Sequence, residues 1–177
     1  VHAFGGPNGA PAFGALRRQP TSPGQVMWLE YENARWTSPR VIPFANANGR
    51  SLEGIVNLGN HRRLAVLTGD ETDYAARLGV EVGGDLPDGF DPEEVLRWTS
   101  ANRRLFFSLQ IADRWSPPLP IRGTQGVRGA RVAVGPQGEA VVVYTHDADA
   151  DDTTFTDVDL FAVVFDGVRW TAPVRLT

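Results

Sequence analysis

The feature that most limits what this chain can fold into is a short phrase written three times: Arg35-Trp36-Thr37-Ser38-Pro39, Arg114-Trp115-Ser116-Pro117-Pro118 and Arg169-Trp170-Thr171-Ala172-Pro173. Six positions after each Trp stands a branched aliphatic residue: Ile42, Ile121 and Leu176. An apolar, strand-like run precedes every copy. A unit that recurs in this way cannot bury its apolar face alone and gains a core by stacking on its neighbours. The three phrases therefore predict a repeat architecture.

Residues 127–177 form the clearest unit. Arg131–Val134 reads as a strand, and Gly135-Pro136-Gln137-Gly138 as a turn, with Pro presetting φ and Gly supplying φ > 0. Ala140–Thr145 is β-branched and uninterrupted, the pattern of a strand buried on both faces. Val158–Phe165 is a third strand, Asp166-Gly167 a hairpin signal, and Arg169–Leu176 a fourth strand. A four-stranded antiparallel meander results.

Residues 52–122 repeat the order. Ile55–Asp70 aligns without a gap on Arg131–His146, and Leu105–Ile111 and Arg114–Ile121 supply the third and fourth strands. The Trp-to-Trp intervals are 79 and 55 residues because residues 70–102 are an insertion. Within it, Asp91-Pro92-Glu93-Glu94 combines an N-cap, a first-position Pro and an acidic first turn, which predicts a short helix over 92–98. Arg97-Trp98-Thr99-Ser100 imitates the phrase but lacks its Pro and is not counted as a copy. The first unit, 1–43, is degenerate. Val26–Tyr31 and Arg35–Ile42 are its last two strands. Residues 1–16 are either a worn hairpin, echoing the later Gly-Pro turn in Gly6-Pro7-Asn8-Gly9, or an unstructured Gly/Ala/Pro arm.

A Pro cannot donate to a ladder, so Pro39, Pro118 and Pro173 belong on an edge strand or at a bulge. Strict alternation would put each Trp and its aliphatic partner on one face. A Trp buries a large area and suits the seam between neighbouring units, with the preceding Arg covering its ring.

Asp166-Gly167 leading to Trp170-Thr171-Ala172-Pro173 resembles the blades of bacterial secreted β-propellers of the sialidase-like or BNR-like group. The resemblance spans most of residues 25–177. It implies an all-β fold: one domain over 1–177, with about three blades of four-stranded antiparallel meanders in a partial or open propeller. The Ser-x-Asp-x-Gly-x-x-Trp box, the arginine triad and the Tyr/Glu nucleophile pair of enzymatic members are missing from the sequence, so sialidase activity is not inherited and no catalytic residue is assigned.

Composition narrows the remaining classes. The chain has 177 residues and a formal net charge of −4, with all 17 basic side chains Arg and no Cys. Disulfides and thiolate metal sites are excluded, and nothing attracts nucleic acid. No run of about 18 apolar residues is present, so no membrane-spanning helix is expected. The sequence opens at Val1 with no signal peptide, which reads as a processed product or a piece of something longer.

Charge is segregated. Residues 70–94 carry nine carboxylates and residues 146–159 six more, together 15 of the 21. The long connections 17–24, 70–102 and 146–157 all join second to third strands and would converge on one end of the stack, where loops held by a rigid scaffold carry function. That acidic end suits a basic partner or a divalent cation. Asp147, Asp149 and Asp151 have the 1-3-5 spacing of hard oxygen ligands, making Ca²⁺ the candidate cation, although Asp152 and Val158 depart from the rest of the EF-hand pattern. His2, His61 and His146 match no catalytic spacing. The expected function is a non-catalytic, extracytoplasmic interaction or assembly module, part of a larger protein or complex. The alternative is a carbohydrate-binding or glycoside-hydrolase-type propeller domain.

Overall fold

The computed structural model describes residues 2–5, 11–19, 22–42, 48–60, 62–70, 89, 91–112, 114–135, 137–148 and 157–177. They build an all-β molecule of three antiparallel sheets with one helix. Sheet 1 contains β1 (His2–Gly5), β2 (Pro11–Gln19), β3 (Ser22–Glu32), β4 (Arg35–Trp36) and β5 (Arg40–Ile42). Sheet 2 contains β6 (Asn48–Gly59), β7 (Arg62–Asp70), β8 (Arg103–Ile111), β9 (Arg114–Trp115) and β10 (Leu119–Pro120). Sheet 3 contains β11 (Val127–Val134), β12 (Ala140–Asp147), β13 (Val158–Phe165) and β14 (Val174–Arg175). Each is a meander in sequence order. β4 and β5 both pair with β3, and β9 and β10 both pair with β8, as two pieces of one outer strand. In sheet 3 the outer strand is the Phe165–Trp170 bridge followed by β14.

The break in every outer strand is the repeated phrase. Tyr31 pairs with Trp36, but Trp28 pairs with Arg40, one residue out of register. The same single-residue shift separates Gln110–Trp115 from Phe107–Leu119, and Phe165–Trp170 from Ala162–Val174. The Ser/Thr-x-Pro stretch is therefore a β-bulge, which suits a Pro that cannot donate. The hydroxyl at this point repairs the ladder. Thr37 donates its backbone N–H to Glu30 O (2.8 Å) and accepts the Glu30 N–H on Oγ1 (3.0 Å). Ser116 treats Leu109 in the same way (2.8 and 3.0 Å), and Thr171 treats Val164 (2.9 and 3.0 Å).

The bulge overturns the expected shared face of Trp and aliphatic residue. One extra residue reverses the pleat, so the two point to opposite sides of their sheet. Trp115 packs against the cluster of Val26, Trp28, Ile42, Leu52, Ile55 and Phe106 between sheets 1 and 2. Ile121 joins the cluster of Val66, Leu105, Val142, Tyr144 and Phe165 between sheets 2 and 3, where Trp170 also packs. Trp28 and Trp115 meet edge to face at 6.1 Å, and Trp170 lies 5.5 Å from Phe107.

β6 is the middle of the stack, touching β1, β2 and β3 on one side and β11 on the other. A Cβ on Gly54, at a bulge of β6, would sit 2.5 Å from Val132 Cγ1 of β11, so this glycine sets the close approach of sheets 2 and 3. Val142 is buried in that seam, whereas Val141 and Val143 are only half-buried. The expected burial of this strand on both faces does not hold, because its second face looks outward from the stack.

Two further expectations change. Residues 17–24 are not a long connection: β2 and β3 run on until Gln19 pairs with Ser22. Backbone pairing across the hairpin carries both strands through a Pro/Gly-rich stretch. The helix, α1 (Pro92–Asn102), has Asp91 as N-cap accepting the Glu93 N–H at 2.9 Å and Pro at its first turn, but it continues past 98 through Trp98 and Ser100. None of the described helical residues forms a helix long and apolar enough to cross a membrane.

Candidate functional site

The seams fix which end of the stack each turn occupies. Arg62, after the first turn of sheet 2, donates to Gly167 O (2.6 Å) in the last turn of sheet 3. Glu30, beside the last turn of sheet 1, is 3.5 Å from Arg63 of sheet 2. The tight turns thus share one end. The strand ends Asp70, Arg103, Asp147 and Val158, from which connections 70–102 and 146–157 leave and return, share the other.

Sequence alone makes that second end a block of carboxylates, but register brings arginines to it. Asp70 lies opposite Arg103 in the β7–β8 ladder. Asp147 is buried and its Oδ2 accepts from both Nε (2.8 Å) and Nη2 of Arg128. Asp159 accepts from Arg175 at 2.7 Å. Of the Ca²⁺ triad, Asp147 is thus committed to a guanidinium at the end of β12, while Asp149 and Asp151 lie outside the described residues. Among the described residues, no three His, Asp or Glu side chains gather as a metal site. Arg128 gave no signal in the sequence, because its partnership exists only once Val127 is paired with His146. Of the three histidines, the His146 ring meets Phe161 edge to face at 5.4 Å, a packing role. The His2 and His61 side chains lie outside the described set.

A second charged cluster occupies the seam between sheets 1 and 2. Glu30 is buried, 3.6 Å from Arg40 and 3.5 Å from Arg63. Both guanidinium groups also stand over the Trp28 ring, at 5.3 and 5.4 Å. Burial, joined by a hydrogen bond with Glu32, pushes the Glu30 carboxyl up to about 7 against the pull of the two arginines. Glu53 anchors the next seam. It accepts from Ser51 and from the Ala130 N–H (3.3 Å), and Arg131 is 3.7 Å away. Burial raises the Tyr144 phenol to about 12, so it stays neutral in its stack on Phe161.

Two grooves flank the phrases. One, about 540 Å³, is lined by Pro120, Arg122 and Gly123 of sheet 2 and by Trp170, Thr171 and Pro173 of sheet 3. The other, about 600 Å³, is lined by Glu32, Arg35, Trp36, Thr37, Pro39 and Arg40, all of sheet 1. Comparison with models of known protein families and with curated proteins finds no match for this chain.

Proposed function

We propose that the chain is a non-catalytic, extracytoplasmic interaction and assembly module whose three meanders act as propeller-like blades and whose long, acidic connections meet a basic partner. One observation carries this reading: the tight turns share one end of the stack, and the segments holding 15 of the 21 carboxylates leave from the other. A rigid scaffold that gathers loops of one charge at one end attracts opposite charge and steers its approach.

The test is binding of a polyarginine peptide, measured by calorimetry at two salt concentrations. Neutralising Asp149, Asp151 and Asp152 to Asn should weaken binding several-fold, and raising salt should weaken it further. Affinity that survives these changes but falls when the tight turns are altered would place the partner at the wrong end and end this reading. A carbohydrate-binding role is favoured only by the 540 Å³ groove, where Trp170 and Arg122 offer a ring and a hydrogen-bond donor. Glycan binding lost in Trp170→Ala but not in the Asp-to-Asn variants would select it.

A further inference from the structure

We propose that the polar groove beside the first phrase is an oxyanion site, taking a sulfate or phosphate group between the guanidinium groups of Arg35 and Arg40, with Glu30 behind Arg40 controlling the affinity. The site lies at the tight-turn end of the seam between sheets 1 and 2. It does not depend on the acidic end.

The bulge assembles it. Arg35 and Arg40 are five positions apart, so plain alternation would send them to opposite faces. In the ladder, however, Arg35 lies opposite Glu32 and Arg40 opposite Trp28. Trp28, Glu30 and Glu32 share one face of β3, and residues directly opposite each other share that face. The inserted residue therefore brings both arginines to the side of β3 that faces sheet 2. Arg63 reaches the same place from β7. The groove there holds about 600 Å³, with Glu32, Asn33, Arg35, Thr37 and Arg40 in its wall.

The other two sheets show that the fold does not need this charge. The ladder position of Glu30 holds Leu109 in sheet 2 and Val164 in sheet 3. The position of Arg40 holds Leu119 and Val174. Sheet 1 alone sets a carboxyl and a guanidinium where its counterparts set aliphatic side chains. A buried charge pair is a weak source of stability, and apolar replacements of similar volume are often neutral or better. Such a breach of the local pattern marks a functional position.

The arginines are also uncommitted. Arg40 and Arg63 stand 3.6 and 3.5 Å from Glu30, longer than a charge-assisted hydrogen bond, and Glu30 Oε2 is buried with no hydrogen-bond partner. Both guanidinium groups rest over the Trp28 ring instead. In sheet 3, Asp166 pairs with Arg169 at 3.4 Å. In sheet 1 the equivalent Glu32 hydrogen-bonds to Glu30, and Arg35 makes no ion pair among the described residues. The charged groups facing Glu30 are thus Glu32 of β3, Arg40 of β5 and Arg63 of β7. Burial pushes the Glu30 carboxyl up to about 7, so at neutral pH the arginines outweigh their carboxylate partners. Their planar forks match the oxygens of a compact oxyanion. Ionised Glu30 competes with that oxyanion for Arg40, so the site binds best when Glu30 is protonated.

The test titrates the full chain with inorganic sulfate, whose charge is the same at pH 5.5 and pH 8.5, against chloride at matched ionic strength. Arginine Nε–H signals are followed by NMR. Those of Arg35 and Arg40 should move saturably with sulfate, and the affinity should fall several-fold from pH 5.5 to pH 8.5. Arg35→Gln and Arg40→Gln should each weaken binding about tenfold, the loss of a charge-assisted hydrogen bond. Arg35 is exposed, so its variant decides the matter if Arg40→Gln disturbs the seam. Arg169→Gln, the same position in sheet 3, should change nothing. Glu30→Gln should show at pH 8.5 the affinity that the parent has at pH 5.5. His61→Asn, two residues from Arg63, should keep the parental pH dependence. Phenyl sulfate in place of sulfate separates the two sources of such a group: retained binding selects an ester, and exclusion selects the free ion. Signals that move no further with sulfate than with chloride overturn the proposal. So does Arg169→Gln weakening binding as much as Arg35→Gln, or a pH dependence that survives in Glu30→Gln or vanishes in His61→Asn.

Discussion

Glu30 is the side chain whose chemistry and packing disagree most. Its carboxyl is buried in the seam between sheets 1 and 2, and burial outweighs the two arginines, so the folded chain holds the proton up to about pH 7. The unfolded chain gives that proton up near the ordinary value of 4.5. Between these values the folded state binds more protons than the unfolded one, so stability from this group is fullest below 4.5, falls as pH rises and levels off above 7. Glu30→Gln fixes the neutral form. Its melting temperature should exceed that of the parent at pH 8, converge with it near pH 4.5, and lose the slope between. At about 1.4 kcal/mol per pKa unit, the gain at pH 8 has a ceiling of roughly 3 kcal/mol. A variant that keeps the parental slope would show that another group owns it. Nothing in the sequence marked this site. Glu30 sits where period-two alternation puts a core residue, beside Val26 and Trp28, and its arginines arrive from β5 and from another sheet.

At the scale of the element, the outer strand shows what a sequence can and cannot specify. Its position was legible, because a Pro that cannot donate belongs at an edge or a bulge, and Trp followed by an aliphatic residue belongs at a seam. The consequence of the bulge was not, since alternation assumes no inserted residue and one insertion exchanges the two faces. The role of the hydroxyl is not legible either, although Thr, Ser and Thr stand there in the three copies. In each copy it accepts a backbone N–H of the neighbouring strand that the bulge would strand. Ser116→Ala should therefore cost about 1 kcal/mol, read from the urea midpoint at unchanged m. Ser116→Thr should stay within about 0.5 kcal/mol, as the other copies use Thr. Equal losses in both would mean that shape and not the hydrogen bond is what the position requires. α1 teaches the converse. Asp91 and Pro92 announced its start, but the copy-like Arg97-Trp98-Thr99-Ser100 concealed that it runs on to Asn102.

At the scale of the whole molecule, the three phrases foretold three stacked meanders, and the stack is polar in a way they did not foretell. Equivalent positions meet unequal fates: Ile121 lies 1 % exposed within a seam and Leu176 lies 55 % exposed on an end face. The phrase alone does not separate them, because burial here is decided by whether another sheet packs on that face. The repeat supplies its own control. Ile121→Ala should cost about 2–4 kcal/mol, the transfer term plus the cavity it leaves. Leu176→Ala, at the same place in its phrase, should cost no more than about 0.5 kcal/mol. If Leu176→Ala proves as costly as Ile121→Ala, Leu176 is as buried as Ile121 and the contrast between the two positions fails.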